Sequence, residues 1–114
     1  MTDISKGSVN TADIDSRVED YYTLLCENKT PFLMQYVKNN KHQKIGVIVA
    51  VSPDQVGWSK CHTSIGDKFV KGTGIRIALK RALLNRKHTK DNIPSSIKPF
   101  FERMEKSAVK YYNN

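Results

Sequence analysis

The sequence predicts an α+β domain: an N-terminal helix, a three-stranded antiparallel β-meander and two C-terminal helices, in the order α-β-β-β-α-α. Three observations predict it. Apolar residues recur at steps of three and four over residues 12–28 and again over 75–86, the period of a helix with one buried face. Between them lie three short runs rich in β-branched residues, joined by connections too short for a crossover, so consecutive strands pair antiparallel. A last amphipathic segment follows Pro94 and Pro99, and proline is tolerated only in the first turn of a helix.

A chain of 114 residues with 39% apolar side chains suits a single domain with a modest core. Residues 1–10 read as a polar tail and residues 11–114 as the domain. In the first helix, Ile14, Val18, Tyr21, Tyr22 and Leu25 form the apolar stripe. Thr30-Pro31 stops it, and Phe32, Met34 and Tyr36 then share one face of the first strand. Residues 39–43 are turn-rich, and Lys44 to Val51 (KIGVIVAV) is the strongest strand by β-branched content. After Ser52-Pro53-Asp54 a third strand places Val56 and Trp58 on one face, with Gly57, Ser59 and Cys61 on the other. A helix from about Ile75 to Arg86 buries Ile75, Ala78, Leu79, Ala82 and Leu83. The last helix starts near Ile97 or Lys98 and turns Phe101, Met104, Ala108 and Tyr111 inward. Helices over one face of the sheet are expected to close the core.

Charge is the strongest global signal. The chain carries a net +8, but residues 1–29 sum to −3 and residues 30–114 to +11. Between Gln55 and Lys90 nine basic residues face Asp67 alone. Such a field favours a polyanion: nucleic acid, an acidic protein surface or a phosphorylated ligand. A lysine-rich surface that serves only solubility is the bland alternative. No apolar run approaches the roughly 20 residues of a membrane span. The N-terminus lacks a basic-then-apolar signal pattern, so a cytoplasmic protein with no membrane partner is expected.

The most suggestive local feature is Lys71-Gly72-Thr73-Gly74, read as a tight turn before the second helix. Glycine-rich backbone at a helix N-terminus can receive an anion, with Lys68 and Lys71 beside it. The spacing matches neither a P-loop nor a dinucleotide fingerprint, and a plain connector explains the glycines equally. The following helix presents Arg76, Lys80, Arg81, Arg86 and Lys87, a set suited to phosphate-backbone contacts without sequence readout. A solvated helix face is the alternative. The expected anion-binding set is therefore Lys68, Lys71, Gly72, Gly74, Arg76, Lys80, Arg81, Arg86 and Lys87.

Catalysis and metal binding have weaker support. His62, Ser59, Cys61 and Asp67 are close in sequence, but no nucleophile elbow or oxyanion motif accompanies them. Cys61, His62, His42 and His88 lack paired ligand spacing, so neither a metal nor another cofactor is expected. Cys26 and Cys61 read as two buried free thiols. Trp58 reads as a sheet-edge packing residue whose indole N–H finds a partner.

The stretch containing Gly57, Trp58, Ser59, Cys61, Asp67, Phe69, Lys71, Gly74, Ile77, Ala78, Arg81 and Ala82 resembles a group of small accessory proteins of tailed bacteriophages. The likeness spans about a third of the chain and assigns no catalytic residue. It implies an accessory protein made during infection, in the host cytoplasm, acting on DNA or on host machinery. Joined to the charge, it leads to a non-enzymatic protein that binds nucleic acid, most simply duplex DNA without sequence preference. The alternative is a modulator that docks the same basic face on an acidic host protein.

Overall fold

A computed structural model of the protein describes residues 11–61, 70–84 and 93–112. The elements are α1 (Thr11–Cys26), β1 (Leu33–Lys38), β2 (Lys44–Ser52), β3 (Gln55–Lys60), α2 (Lys71–Leu84) and α3 (Lys98–Tyr112). The predicted order, α-β-β-β-α-α, is the observed one, and the strands form one antiparallel sheet in the order β1-β2-β3.

Local chemistry sets the joints. α1 ends in a left-handed residue, Asn28 (φ 59°). Lys29 N–H donates back to Leu24 O (2.8 Å) and Asn28 N–H to Leu25 O (3.0 Å). This pair of bonds closes the helix and turns the chain toward the sheet. The β1–β2 turn is built around Asn39, whose Oδ1 accepts from the backbone N–H of Lys41 and Gln43 (2.9 and 3.0 Å). Asn39 N–H donates to Gln43 O and His42 N–H to Asn39 O (both 3.0 Å), and His42 takes the left-handed conformation (φ 62°), as the last residue of a three-residue hairpin loop does after its tight turn. At α3, Pro94 O accepts from Ile97 and Lys98 N–H, and Pro99 falls in the first turn, as expected.

Coverage of the sheet departs from expectation: helices pack on both faces. Val47, Val49, Phe32, Ile14, Val18 and the α2 stripe form one core. Ile48, Ala50, Val37 and Val56 form a second core with Ile97, Phe101, Met104 and Ala108. The physical reason lies in β2, whose residues 45–50 are all buried; a strand apolar on both sides needs a cover on both sides. Tyr111, expected to point inward, is exposed, and Tyr112 takes its place. The Tyr112 hydroxyl donates to Ala50 O (2.7 Å) and lies 3.4 Å from Pro31 O.

α2 comes unusually close to β3. A Cβ on Gly57 would lie 2.0 Å from Ala78 O and 2.5 Å from Ala82 N. Gly57 against Ala78 and Ala82 is therefore a backbone-to-backbone contact, possible only because three small residues meet.

Candidate functional site

The expected glycine turn is helix. α2 begins at Lys71, four residues before the expected Ile75, and Gly74 N–H donates to Val70 O at 2.8 Å. Gly72 and Gly74 are thus ordinary first-turn residues. Gly72 has a packing duty instead: a Cβ there would sit 3.1 Å from the Tyr22 hydroxyl of α1 and 3.3 Å from an Arg76 guanidinium nitrogen. Low helix propensity at two glycines signals a turn, and the tertiary contact with α1 overrides it.

The basic stripe of α2 is met by acids of α1. Arg76 Nε donates to Glu19 Oε2 at 2.7 Å and its Nη2 to Oε1 at 3.3 Å, while the guanidinium lies 4.1 Å over the Tyr22 ring. The hydrogen bond to Glu19 pushes the already high Arg76 pKa further up. One turn later Lys80 Nζ pairs with Asp15 Oδ1 at 3.2 Å. Both pairs are exposed, so they add little stability. Their consequence is electrostatic: a phosphate reaching Arg76 or Lys80 also meets Glu19 and Asp15. The acidic N-terminal quarter and the basic remainder of the chain, separate in sequence, partly cancel here in space.

Arg81, on the other flank of α2, turns to the edge strand. Its Nη1 donates to Trp58 O at 2.7 Å, and the guanidinium lies 4.3 Å over the indole. Burial lowers its pKa. Trp58 is accordingly a half-buried edge residue, as predicted. Ser59 beside it is 3% exposed, and its Oγ finds no hydrogen-bond partner among the described residues. An orphaned buried hydroxyl costs about 1–3 kcal/mol. Lys68, Arg86 and Lys87 lie outside the described residues, as do His62, Asp67 and His88 of the enzyme and metal readings.

A different basic surface appears at one end of the sheet. Lys38 of β1 is paired in register with Lys44 of β2, Lys41 sits in the turn between them, and Lys60 of β3 pairs with Gly46. Lys71 joins them across the α2 face: its Nζ lies 5.8 Å from the Tyr36 ring centroid, and Lys44 Nζ lies 4.4 Å from the same ring. Burial raises the Tyr36 pKa, so the phenol stays neutral between the two ammonium groups. Neither ion pair described above uses any of these five lysines. Only Lys71 belonged to the expected site. The signal for Lys38, Lys41 and Lys44 was the Lys38-x-x-Lys41-x-x-Lys44 spacing across a hairpin, which folds three lysines onto one tip.

Other expectations resolve more simply. Cys26 and Cys61 are free thiols, but Cys26 is exposed and Cys61 half-buried, because Cys26 falls on the outer side at the end of α1. Cys61 packs with the α3 core rather than with Gly57 and Ser59, since β3 ends at Lys60 and the alternation stops there. Among the described residues no three His, Cys, Asp or Glu side chains are grouped to hold a metal ion. No described helix is long and apolar enough to cross a membrane. No protein-family model, curated protein or solved structure matches this chain.

Proposed function

We propose that this protein is a small basic accessory protein, of the kind its bacteriophage resemblance implies, that binds nucleic acid by gripping the phosphate backbone in the host cytoplasm. It acts by binding, not turnover, and takes duplex DNA with little sequence preference. The observation that carries this reading is the lysine end: Lys38, Lys41, Lys44, Lys60 and Lys71, drawn from all three strands, the β1–β2 turn and α2 onto one end of the sheet. Like charges so placed repel one another, and a polyanion relieves that repulsion while releasing its own counterions. Lysines contribute point charges without base-edge geometry, which suits backbone contact rather than sequence readout. Arg76 and Lys80 become secondary contributors, because their acidic partners travel with them.

The test is binding to random duplex DNA, duplex RNA and single strands across a salt series. Two double variants are compared, Lys41→Glu/Lys44→Glu and Arg76→Gln/Lys80→Gln, each checked for an unchanged melting temperature. The reading expects tight duplex binding whose log–log salt slope falls by about two in the first variant and changes little in the second. Weak binding at physiological salt, or equal losses in both variants, overturns it. Affinity capture that survives nuclease treatment and needs the same lysines would point instead to an acidic host protein.

A further inference from the structure

A second feature overlaps the lysine end at Lys60 alone. At the edge of the sheet, between β3 and α2, lies a cleft of about 310 Å³ lined by Trp58, Ser59, Lys60, Ile77, Arg81 and Pro94. Three facts about it are unusual together. Arg81 is partly buried, yet its hydrogen bond goes to a neutral carbonyl, and neither described ion pair supplies it with a carboxylate. Ser59 contributes a buried hydroxyl with no partner among the described residues. Ile77, a large apolar residue on α2, is 40% exposed at the cleft wall.

The guanidinium and the apolar wall each specify part of a ligand. A guanidinium held over an indole, with one N–H donated to Trp58 O and no carboxylate partner among the described residues, presents a fixed plane of donors that suits a carboxylate or phosphate. Burial has already removed part of its hydration, which lowers its pKa; an anion in the cleft would restore the lost stabilisation. The Ile77 and Pro94 wall favours a compact apolar body, and a flat one can lie on the outer face of the guanidinium. The volume sits at the small end of ligand sites, enough for one or two rings.

We propose that the Trp58–Arg81 cleft binds a small organic anion, a carboxylate or phosphate carried on a flat ring, with Arg81 and Lys60 taking the charge and Ile77 and Pro94 the ring. Two sources share this chemistry: an aromatic carboxylate and a nucleoside monophosphate. The site shares Lys60 with the lysine end and none of its other four lysines.

Trp58 is the only tryptophan in the chain, so its fluorescence reports the cleft directly. The protein is titrated with benzoate, uridine monophosphate, inorganic phosphate and benzyl alcohol. The proposal expects one ring anion to bind more tightly than about 1 mM, and both phosphate and the neutral alcohol to bind at least about tenfold more weakly. Which ring anion responds identifies the source. Arg81→Gln should abolish the response. Should that variant fail to fold, Ile77→Glu, an exposed position, should weaken it at least about tenfold by placing a carboxylate in the ring's place. Lys41→Glu/Lys44→Glu should leave the response intact, so a failure of nucleic-acid binding would not be mistaken for a failure here. No response to either ring anion, or an equal one in a folded Arg81→Gln protein, overturns the proposal.

Discussion

The two faces of the sheet are covered by opposite strategies. On one face α2 lies against β3 with almost nothing between the backbones, since Gly57 opposes Ala78 and Ala82. On the other, α3 stands off on large side chains, Phe101 and Met104, and is pinned at its end by the Tyr112 hydroxyl on Ala50 O. The close face carries the ion pairs to α1, and the stand-off face is held by apolar volume and one tyrosine. Small residues let an element approach and bring its polar groups to the strand, as Arg81 reaches Trp58 O. Large residues hold it away and leave the sheet polar groups to a longer reach.

Removing volume and adding volume should therefore injure the two faces differently. Phe101 is 2% exposed, and Phe101→Ala should cost about 3–5 kcal/mol by chemical denaturation, the transfer loss plus a cavity. Gly57→Ala adds only a methyl, yet it should cost about 3 kcal/mol, at the upper end for overpacking. The colliding atoms are backbone and cannot rotate aside. The same substitution should also lift Arg81 off Trp58 and shift the tryptophan emission, which Phe101→Ala should not do. An unchanged melting temperature for Gly57→Ala would mean that α2 does not approach as closely as described.

The tyrosine clasp is a smaller effect with a pH signature. Tyr112→Phe should cost about 1 kcal/mol at neutral pH, one net hydrogen bond. Burial raises the Tyr112 pKa, against a smaller lowering by a backbone hydrogen bond to Leu33. A folded-state pKa above the unfolded value near 10 means that its contribution is complete below about pH 10. It is lost as the pH rises through the folded value, because the phenolate cannot donate to Ala50 O. Melts of the two proteins from pH 7 upward should therefore converge above pH 10. Parallel curves would show that the hydroxyl is not the clasp.

What could be read from the chain follows the range of each interaction. The stripe Ile75, Ala78, Leu79, Ala82, Leu83 is local periodicity, and all five residues are buried as expected. Three strands with short turns left little choice but a meander. The start of α2 was misplaced because Gly72 and Gly74 have turn propensity, and only the fold shows Gly72 packed inside a helix against Tyr22 of α1. The two-sided cover was written in the unbroken apolar run of β2, although helices over one face were expected to close the core. The site was the least legible part. Pairing of Arg76 with Glu19 spans 57 residues, and no spacing rule anticipates it. The lysine tip needed the hairpin register, which became visible only once Asn39 and His42 had shaped the turn.

The smallest effect separates the two basic surfaces most cleanly. Glu19→Gln removes the charge opposite Arg76 while keeping the shape of the side chain. Exposed ion pairs contribute little, so the melting temperature should stay within measurement error. The field should not stay the same: the α2 stripe loses one of its two neutralising acids, and Arg76 becomes free for a phosphate. Duplex affinity at low salt should then rise by less than about tenfold, with a slightly steeper salt slope. Combining it with Lys41→Glu/Lys44→Glu should recover little binding, because the lysine end rather than α2 makes the main contacts. Full recovery in that combination would move the interface to the α1–α2 side.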